Sequence, residues 1–252
     1  MGTNSAIEWC HHSFNPWWGC FKVSDGCKNC YAETLSKRFG HAIWGPSATT
    51  TRRTFGSKHW EEPLAWNAVA EREGVRKRVF CASMADVFES NERLIYERKH
   101  LWQVIRRTPH LDWLLLTKRP ENICLMVPTD WLDTPPDNVW YGTSVENQNV
   151  EIRIYELACV PARVRFLSCE PLLGPLNLQY WLDSGAIHWV IAGAESGHGA
   201  RSMDMAWVRS LRDQCTAAGV AFFFKQGAIG GKKVPLPMLD GRQWMEFPEV
   251  TP

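Results

Sequence analysis

The strongest constraint on the fold is a rhythm running from residue 78 to residue 226. Short, almost wholly apolar runs recur: RVFCASM (78–84), DWLLLT (112–117), NVWYGTS (138–144), VRFLSCE (164–170), IHWVIAG (187–193) and VAFFFKQ (220–226). Between them lie stretches of helical spacing. In ERLIYERKHLWQVIRR (92–107), Leu94, Ile95, Leu101, Val104 and Ile105 share a face; PENICLMV (120–127), NVEIRIYELACV (149–160) and MAWVRSLRDQCTAAG (205–219) read as helices too. Strands that are apolar throughout need cover on both faces, and a helix after each strand brings the next one back parallel. AIEWCHH (6–12) reads as a first strand and CYAETLSKRF (30–39) as the helix that follows it. The expected fold is therefore α/β, a partial or irregular (β/α) TIM-like barrel of six to seven parallel strands. An open doubly wound sheet is the alternative, and a closed eight-stranded barrel needs one more unit. A single domain over residues 1–252 is expected, with a loop and helix excursion at about 40–77. Within it EPLAWNAVAEREG (62–74) places Pro63 in a first helical turn and Gly74 at the end.

In parallel barrels the chemistry gathers at the C-terminal ends of the strands. Here those ends are polar in succession. His11 and His12 come first, then Ser83 and Asp86, then Thr117, Lys118 and Arg119. Thr143, Ser144 and Glu146 follow, then Ser168 and Glu170, Glu195 and Ser196, and finally Lys225 and Gln226. Seven polar ends in a row predict one polar site ringed by loops. Glu170 and Glu195, at adjacent strand ends, suit either acid–base work as a pair or two separate loop networks. Lys225 suits a phosphate, or pairs with a glutamate.

The loop after the first strand carries FNPWWGCFKVSDGCKNCYAE (14–33), in which Cys20, Cys27 and Cys30 are spaced C-x6-C-x2-C. The other six of nine cysteines are scattered, a pattern of reduced thiols plus one ligand cluster. Three close thiols have three readings. His11 or His12 completes a tetrahedral Cys3His zinc site. Alternatively the thiolates bind three irons of a [4Fe–4S] cluster and leave the fourth open. Or they are unligated thiols on a turn beside Gly19 and Gly26.

A three-cysteine cluster loop after the first strand of a parallel β/α array resembles the radical S-adenosylmethionine (SAM) superfamily. The first gap is six residues where that superfamily usually has three, and Asn29 precedes the last cysteine where an aromatic is usual. Further motifs are LLLTKRPENI, GTSVENQ, RFLSCEPLLGPL, WVIAGAESGHGARSMDMAWVRSLRDQC and FFFKQG. Together with the cysteine loop they resemble, over nearly the whole chain, the three-cysteine-motif protein family of phages and prophages, described as radical-SAM-like. Ala194 stands where that family more often has glycine, and Gly227 follows Lys225-Gln226 where a tryptophan often intervenes.

The resemblance implies a [4Fe–4S] cluster on Cys20, Cys27 and Cys30, and SAM on its open iron. Such an enzyme cleaves SAM reductively to a 5′-deoxyadenosyl radical, which abstracts a hydrogen atom from substrate. On that basis Ser83 and Asp86 are candidates for the SAM amino group, Lys118 and Arg119 for its carboxylate, and Ser144 and Glu146 for its ribose. Gly193 and Glu195, in AGAESG (192–197), are candidates for the adenine, glycine allowing close backbone approach. Cys169, Glu170 and Lys225 are the catalytic candidates. Cys169 would return a hydrogen atom to a product radical, its plainer reading being buried filler.

Net charge is +1, so no global field points to a long duplex footprint. Local basic clusters (Arg52-Arg53, Arg76-Lys77-Arg78, Arg106-Arg107, Lys232-Lys233) and loop tryptophans (Trp17, Trp18, Trp44, Trp60, Trp66) suit base stacking. A phage setting favours modification or repair of a nucleic acid base or nucleotide. The expected partners are such a substrate, an electron donor of the flavodoxin or ferredoxin kind, and a phage- or prophage-encoded protein. The alternative function is a non-catalytic binding or sensor protein with a structural metal. No secretory signal and no apolar run of ~20 residues are present, which predicts no membrane span and a cytoplasmic protein in a bacterial host.

Overall fold

The structure is a computed structural model that describes residues 5–197, 199–229 and 232–249; the remainder of the expected 1–252 domain lies outside the described residues. Eight strands form one sheet in sequential order. They are β1 (His12–Ser13), β2 (Lys77–Cys81), β3 (Leu111–Thr117), β4 (Val139–Ser144), β5 (Val164–Cys169), β6 (Trp189–Gly193), β7 (Ala221–Ile229) and β8 (Lys232–Pro235). The first seven are parallel, and β8 folds back antiparallel on β7. The result is a mostly parallel, curled half-barrel.

The helices are α1 (Tyr31–Arg38), α2 (Ser57–Glu73), α3 (Ile95–Arg106), α4 (Ile123–Met126), α5 (Asp130–Asp133), α6 (Ile152–Ala158), α7 (Gln179–Asp183) and α8 (Met205–Ala218). Gly74 ends α2 and Gly219 ends α8, each in the left-handed region at φ 65° and 67°. The excursion is a loop followed by α2, which starts earlier than its proline suggests, with Pro63 inside the helix. α5, α7 and β8 were not expected. The Gly230-Gly231 pair between two β-type runs is the signal for the β7–β8 hairpin.

Strand alternation divides two cores. Val79, Cys81, Leu115, Tyr141, Leu167, Cys169, Val190, Phe222 and Phe224 join the layer under the helices. Phe80, Leu114, Trp140, Phe166, Trp189, Ile191 and Phe223 join the other, on the opposite face. Gly142 lies across from Phe166, where a Cβ would come within 2.3 Å of the ring, so only glycine admits it.

The expected first strand at 6–12 is corrected. Only His12 and Ser13 pair with β2, while residues 7–10 turn back on themselves through Cys10 N–H to the Ile7 carbonyl. The turn places Trp9 against Phe80 (ring centroids 4.6 Å apart) and edge-on to Trp189 (6.0 Å). An apolar residue can thus fill the interior without being part of the sheet.

Candidate active site

A cavity of about 300 Å³, within the range of ligand sites, opens at the C-terminal ends of the strands. Cys20, Cys27 and Cys30 border it. So do Ser83, Asp86, Lys118, Arg119 and Ser144, and across from β1 in sheet order Glu170, Glu195 and Lys225. Glu146, Gly193 and Cys169 do not border it. Cys169 lies wholly in the helix-side core, and burial pushes its thiol up. It is the buried filler of the plainer reading, because strand alternation aims Ser168 and Glu170 inward and Cys169 outward.

The cysteine loop is fastened from two sides. Glu146, 1% exposed, accepts from Ser24 Oγ at 3.1 Å and pairs with Arg153 at 2.9 Å and Lys118 at 3.3 Å. Gly26 packs on that carboxylate so closely that a Cβ would come within 2.1 Å of Oε1. On the other side Glu195 accepts from Asn29 Nδ2 at 2.9 Å and from the backbone N–H and guanidinium of Arg201. Arg201 also donates to the Asp25 carbonyl at 3.0 Å. Burial works against the Glu195 carboxylate, but Arg201 and Asn29 more than offset it and hold its pKa below the usual range. Glu146 and Glu195 are therefore positioning residues for the loop.

Asp86 is likewise saturated. It accepts from Phe88 N–H, Thr117 Oγ1 (2.7 Å), Lys118 N–H and Arg119 Nη1 (2.6 Å). Arg119 is thereby aimed at the loop: it donates to the Phe21 carbonyl at 2.9 Å and its Nη1 lies 3.7 Å from Cys20 Sγ. Burial opposes the guanidinium's charge, yet Asp86 and Cys20 raise its pKa overall. Ser83 sits beside Asn15, whose Nδ2 donates to its hydroxyl at 3.1 Å. Glu170 and Lys225 form an ion pair at 2.6 Å, so the carboxylates of Glu170 and Glu195 serve two separate networks.

Among the described residues no three His, Cys, Asp or Glu side chains converge tightly enough for one metal ion. The two histidines weighed as a fourth ligand do not border the cavity. His11 Nδ1 accepts from Arg78 N–H at 2.8 Å, and His12 stacks on Trp66 with centroids 4.5 Å apart. Burial, and then Asp86, push Cys20 up to about 12, and burial raises Cys30 despite the Glu33 and Ala32 N–H groups at the start of α1. Such thiols ionise when a cation replaces the proton. Three partly exposed thiols border an open cavity, with Arg119 Nη1 3.7 Å from one of them, and suit a cluster with one iron left for another ligand.

Asn29, Ser24, Arg153 and Arg201 escaped the sequence reading. Asn29 and Ser24 lie inside the cysteine motif, and Arg201 is six residues after Glu195, but nothing in their spacing states the pairing. The tryptophans are mostly structural. Trp17, Trp18, Trp60 and Trp66 are buried, and only Trp44 of the five borders the cavity. Arg52, from the first basic cluster, is a buried partner of Glu89 at 2.7 Å.

The family described as "Protein of unknown function (DUF5131)" matches residues 4–248. The chain belongs to that family. No curated protein matches it. Among solved structures it is similar to spore photoproduct lyase. A cysteine-to-alanine variant with dinucleoside spore photoproduct superposes with a TM-score of 0.51 at 12% identity, over 77% of this chain and 58% of that one. A cysteine-to-alanine variant described without the photoproduct gives 0.49 at 11%, over 86% and 77%. A tyrosine-to-phenylalanine variant gives 0.48 at 11%, over 77% and 60%. This chain spans somewhat under two thirds of the first and third of these lyase chains as compared. The likeness places the half-barrel among folds of that kind. Among the described residues no helix is long and apolar enough to cross a membrane.

Proposed function

We propose that this chain is an iron–sulfur enzyme of the radical-SAM type that modifies or repairs a nucleic acid base or nucleotide. One observation carries the reading: Cys20, Cys27 and Cys30, on the loop after β1, border the same cavity as the polar ends of β3 to β7. The fold shared with spore photoproduct lyase, a radical SAM enzyme, supports it, and one of those lyase structures is described with a dinucleoside photoproduct. When bound, cluster and SAM supply one-electron chemistry that ends in 5′-deoxyadenosine.

The chain's own residues do the rest. The three cysteines hold the cluster. Arg119, oriented by Asp86, sets a fixed positive charge beside Cys20 and favours its thiolate. The Glu195–Arg201–Asn29 bonds tie the segment after β6 to the cysteine loop. Ser144 and Ser168 turn small hydroxyls into the cavity, leaving room for a ligand. The Glu170–Lys225 pair faces it as a donor and an acceptor of fixed position. An electron donor of the flavodoxin or ferredoxin kind completes the system.

Anaerobic reconstitution with iron and sulfide, followed by dithionite and SAM, tests the reading. The expected result is about four irons per chain and 5′-deoxyadenosine by mass spectrometry, both lost in Cys27→Ala. One zinc per chain without SAM cleavage overturns it in favour of a structural metal site.

A further inference from the structure

From the second half of α1 to the start of α2, residues 34–60 hold no Asp or Glu. Of these residues only Trp44 borders the cavity. Two of the five Lys and Arg residues here are committed, Lys37 to Glu33 and the buried Arg52 to Glu89. Arg38, Arg53 and Lys58 are exposed, and among the described residues none of them has a carboxylate within ion-pair distance. The nearest acids along the chain are Glu33, shared by Lys22 and Lys37, and Glu61 and Glu62 on α2. α2 has no acidic residue in its first turn, so its N-terminal partial charge adds to the positive field.

These cations stand among rings gathered round the buried Trp18. Phe39 is 58% exposed, with its ring centre 6.1 Å from that of Trp18. Phe55 lies 5.8 Å from Trp18 and 4.4 Å from His59. The Arg53 guanidinium is 5.0 Å from the Trp18 ring centre and 5.4 Å from that of Phe55. The surface is preformed. Arg52 donates to the carbonyls of Ile43, Thr50 and Gly45 at 3.1, 3.2 and 2.8 Å, and the backbones of Trp18 and Arg53 exchange hydrogen bonds at 2.8 and 2.9 Å. It also adjoins the cavity wall: Phe55 of the patch and Cys30 and Trp44 of the wall pack against one small core of Trp18, Ala32, Ile43 and Met84.

An exposed ring beside unpaired cations calls for a ligand with π-faces and negative charge in one polymer. A single nucleic-acid strand has both, its bases free to stack and its phosphates free to pair. A duplex hides its base faces. We infer that this patch is a platform for single-stranded nucleic acid, on which Phe39 and Phe55 stack bases while Arg38, Arg53 and Lys58 pair with phosphates. The inference rests on the nucleic-acid half of the proposed function. It goes further by making the substrate a strand and by naming the surface outside the cavity that holds it.

The test is binding of decathymidylate, of decauridylate and of an abasic deoxyribose-phosphate decamer to the reconstituted protein, by fluorescence anisotropy at several salt concentrations. Wild type is expected to bind at least one base-bearing strand roughly tenfold or more tightly than the abasic decamer, the tighter of the two telling DNA from RNA. Phe39→Leu, which keeps the bulk and removes the ring, should lose most of that preference. Arg38→Gln, Arg53→Gln and Lys58→Gln combined should flatten the slope of log affinity against log salt by about 2, at about 0.7 per phosphate contact. Arg106→Gln, which removes an exposed charge on α3, should leave both readings at wild type. Thermal melting checks that each variant folds, and the charge variants stand as a test independent of Phe39→Leu. Equal binding of the abasic decamer, no binding of any strand, or a preference and slope unchanged in the variants overturns the inference. SAM cleavage on the same preparations reports separately on the enzyme. Cleavage without strand binding removes the platform and leaves the radical enzyme standing.

Discussion

Replacing Gly26 with alanine adds one methyl group to the cysteine loop. The new Cβ would lie 2.1 Å from Glu146 Oε1 and 2.5 Å from its Cγ and Cδ. Relief requires a shift of more than an ångström to reach ordinary contact. Glu146 cannot supply it, because Arg153, Lys118 and Ser24 all hold its carboxylate. The loop must yield instead, and it carries Cys27 next door. Overpacking of this kind costs about 1–3 kcal/mol. Charged to the loop alone, that is roughly a 5- to 150-fold loss of the conformer that places the three thiols. The expected result is iron loading after reconstitution below half of wild type, with a melting temperature within a few degrees of it, since neither core is touched. Gly56→Ala is the control: its Cβ meets nothing within 4 Å and its φ is −79°. Gly26→Ala that loads iron like the Gly56→Ala control would refute the claim that Glu146 positions the loop.

Arg201→Met removes the side-chain donors that Glu195 and the Asp25 carbonyl share. Among the described residues Glu195, 8% exposed, keeps Asn29 and one backbone N–H, and the loss should be about 1–3 kcal/mol in urea unfolding. Iron should also leave the reconstituted protein faster; unchanged retention would mean that the contact does not brace the cluster loop. His11 is lowered to about 4 by burial and then by Arg78 and Lys77. A base with a depressed folded pKa contributes stability above its unfolded value of 6.5, and that contribution is lost as pH falls toward 4. His11→Asn, which keeps an acceptor for Arg78 N–H, should flatten the loss of melting temperature between those pH values. A wild-type slope in the variant would place the acid sensitivity elsewhere.

Much of this was legible in the chain. Period-2 runs that are apolar on both faces require a covered parallel sheet, and six of the eight strands fall where those runs lie. The cysteine spacing named the three thiols, and strand order set them beside Asp86, Lys118 and Arg119. The short strand β1 was misread because AIEWCHH is as apolar as a strand, while Trp9 satisfies that pattern by filling the interior from a turn. Hydrophobicity reports burial and not the partner that provides it.

Composition and pattern by themselves thus determined the half-barrel and its polar end, because these follow from periodicity and from residues close in sequence. Only the tertiary structure decided what the charges do. Asp86, Glu146 and Glu195 read as ligand groups in the sequence, yet each is satisfied by cations brought from 6 to 33 residues away. A carboxylate's role depends on what neutralises it at about 3 Å, and that neighbour is chosen by folding.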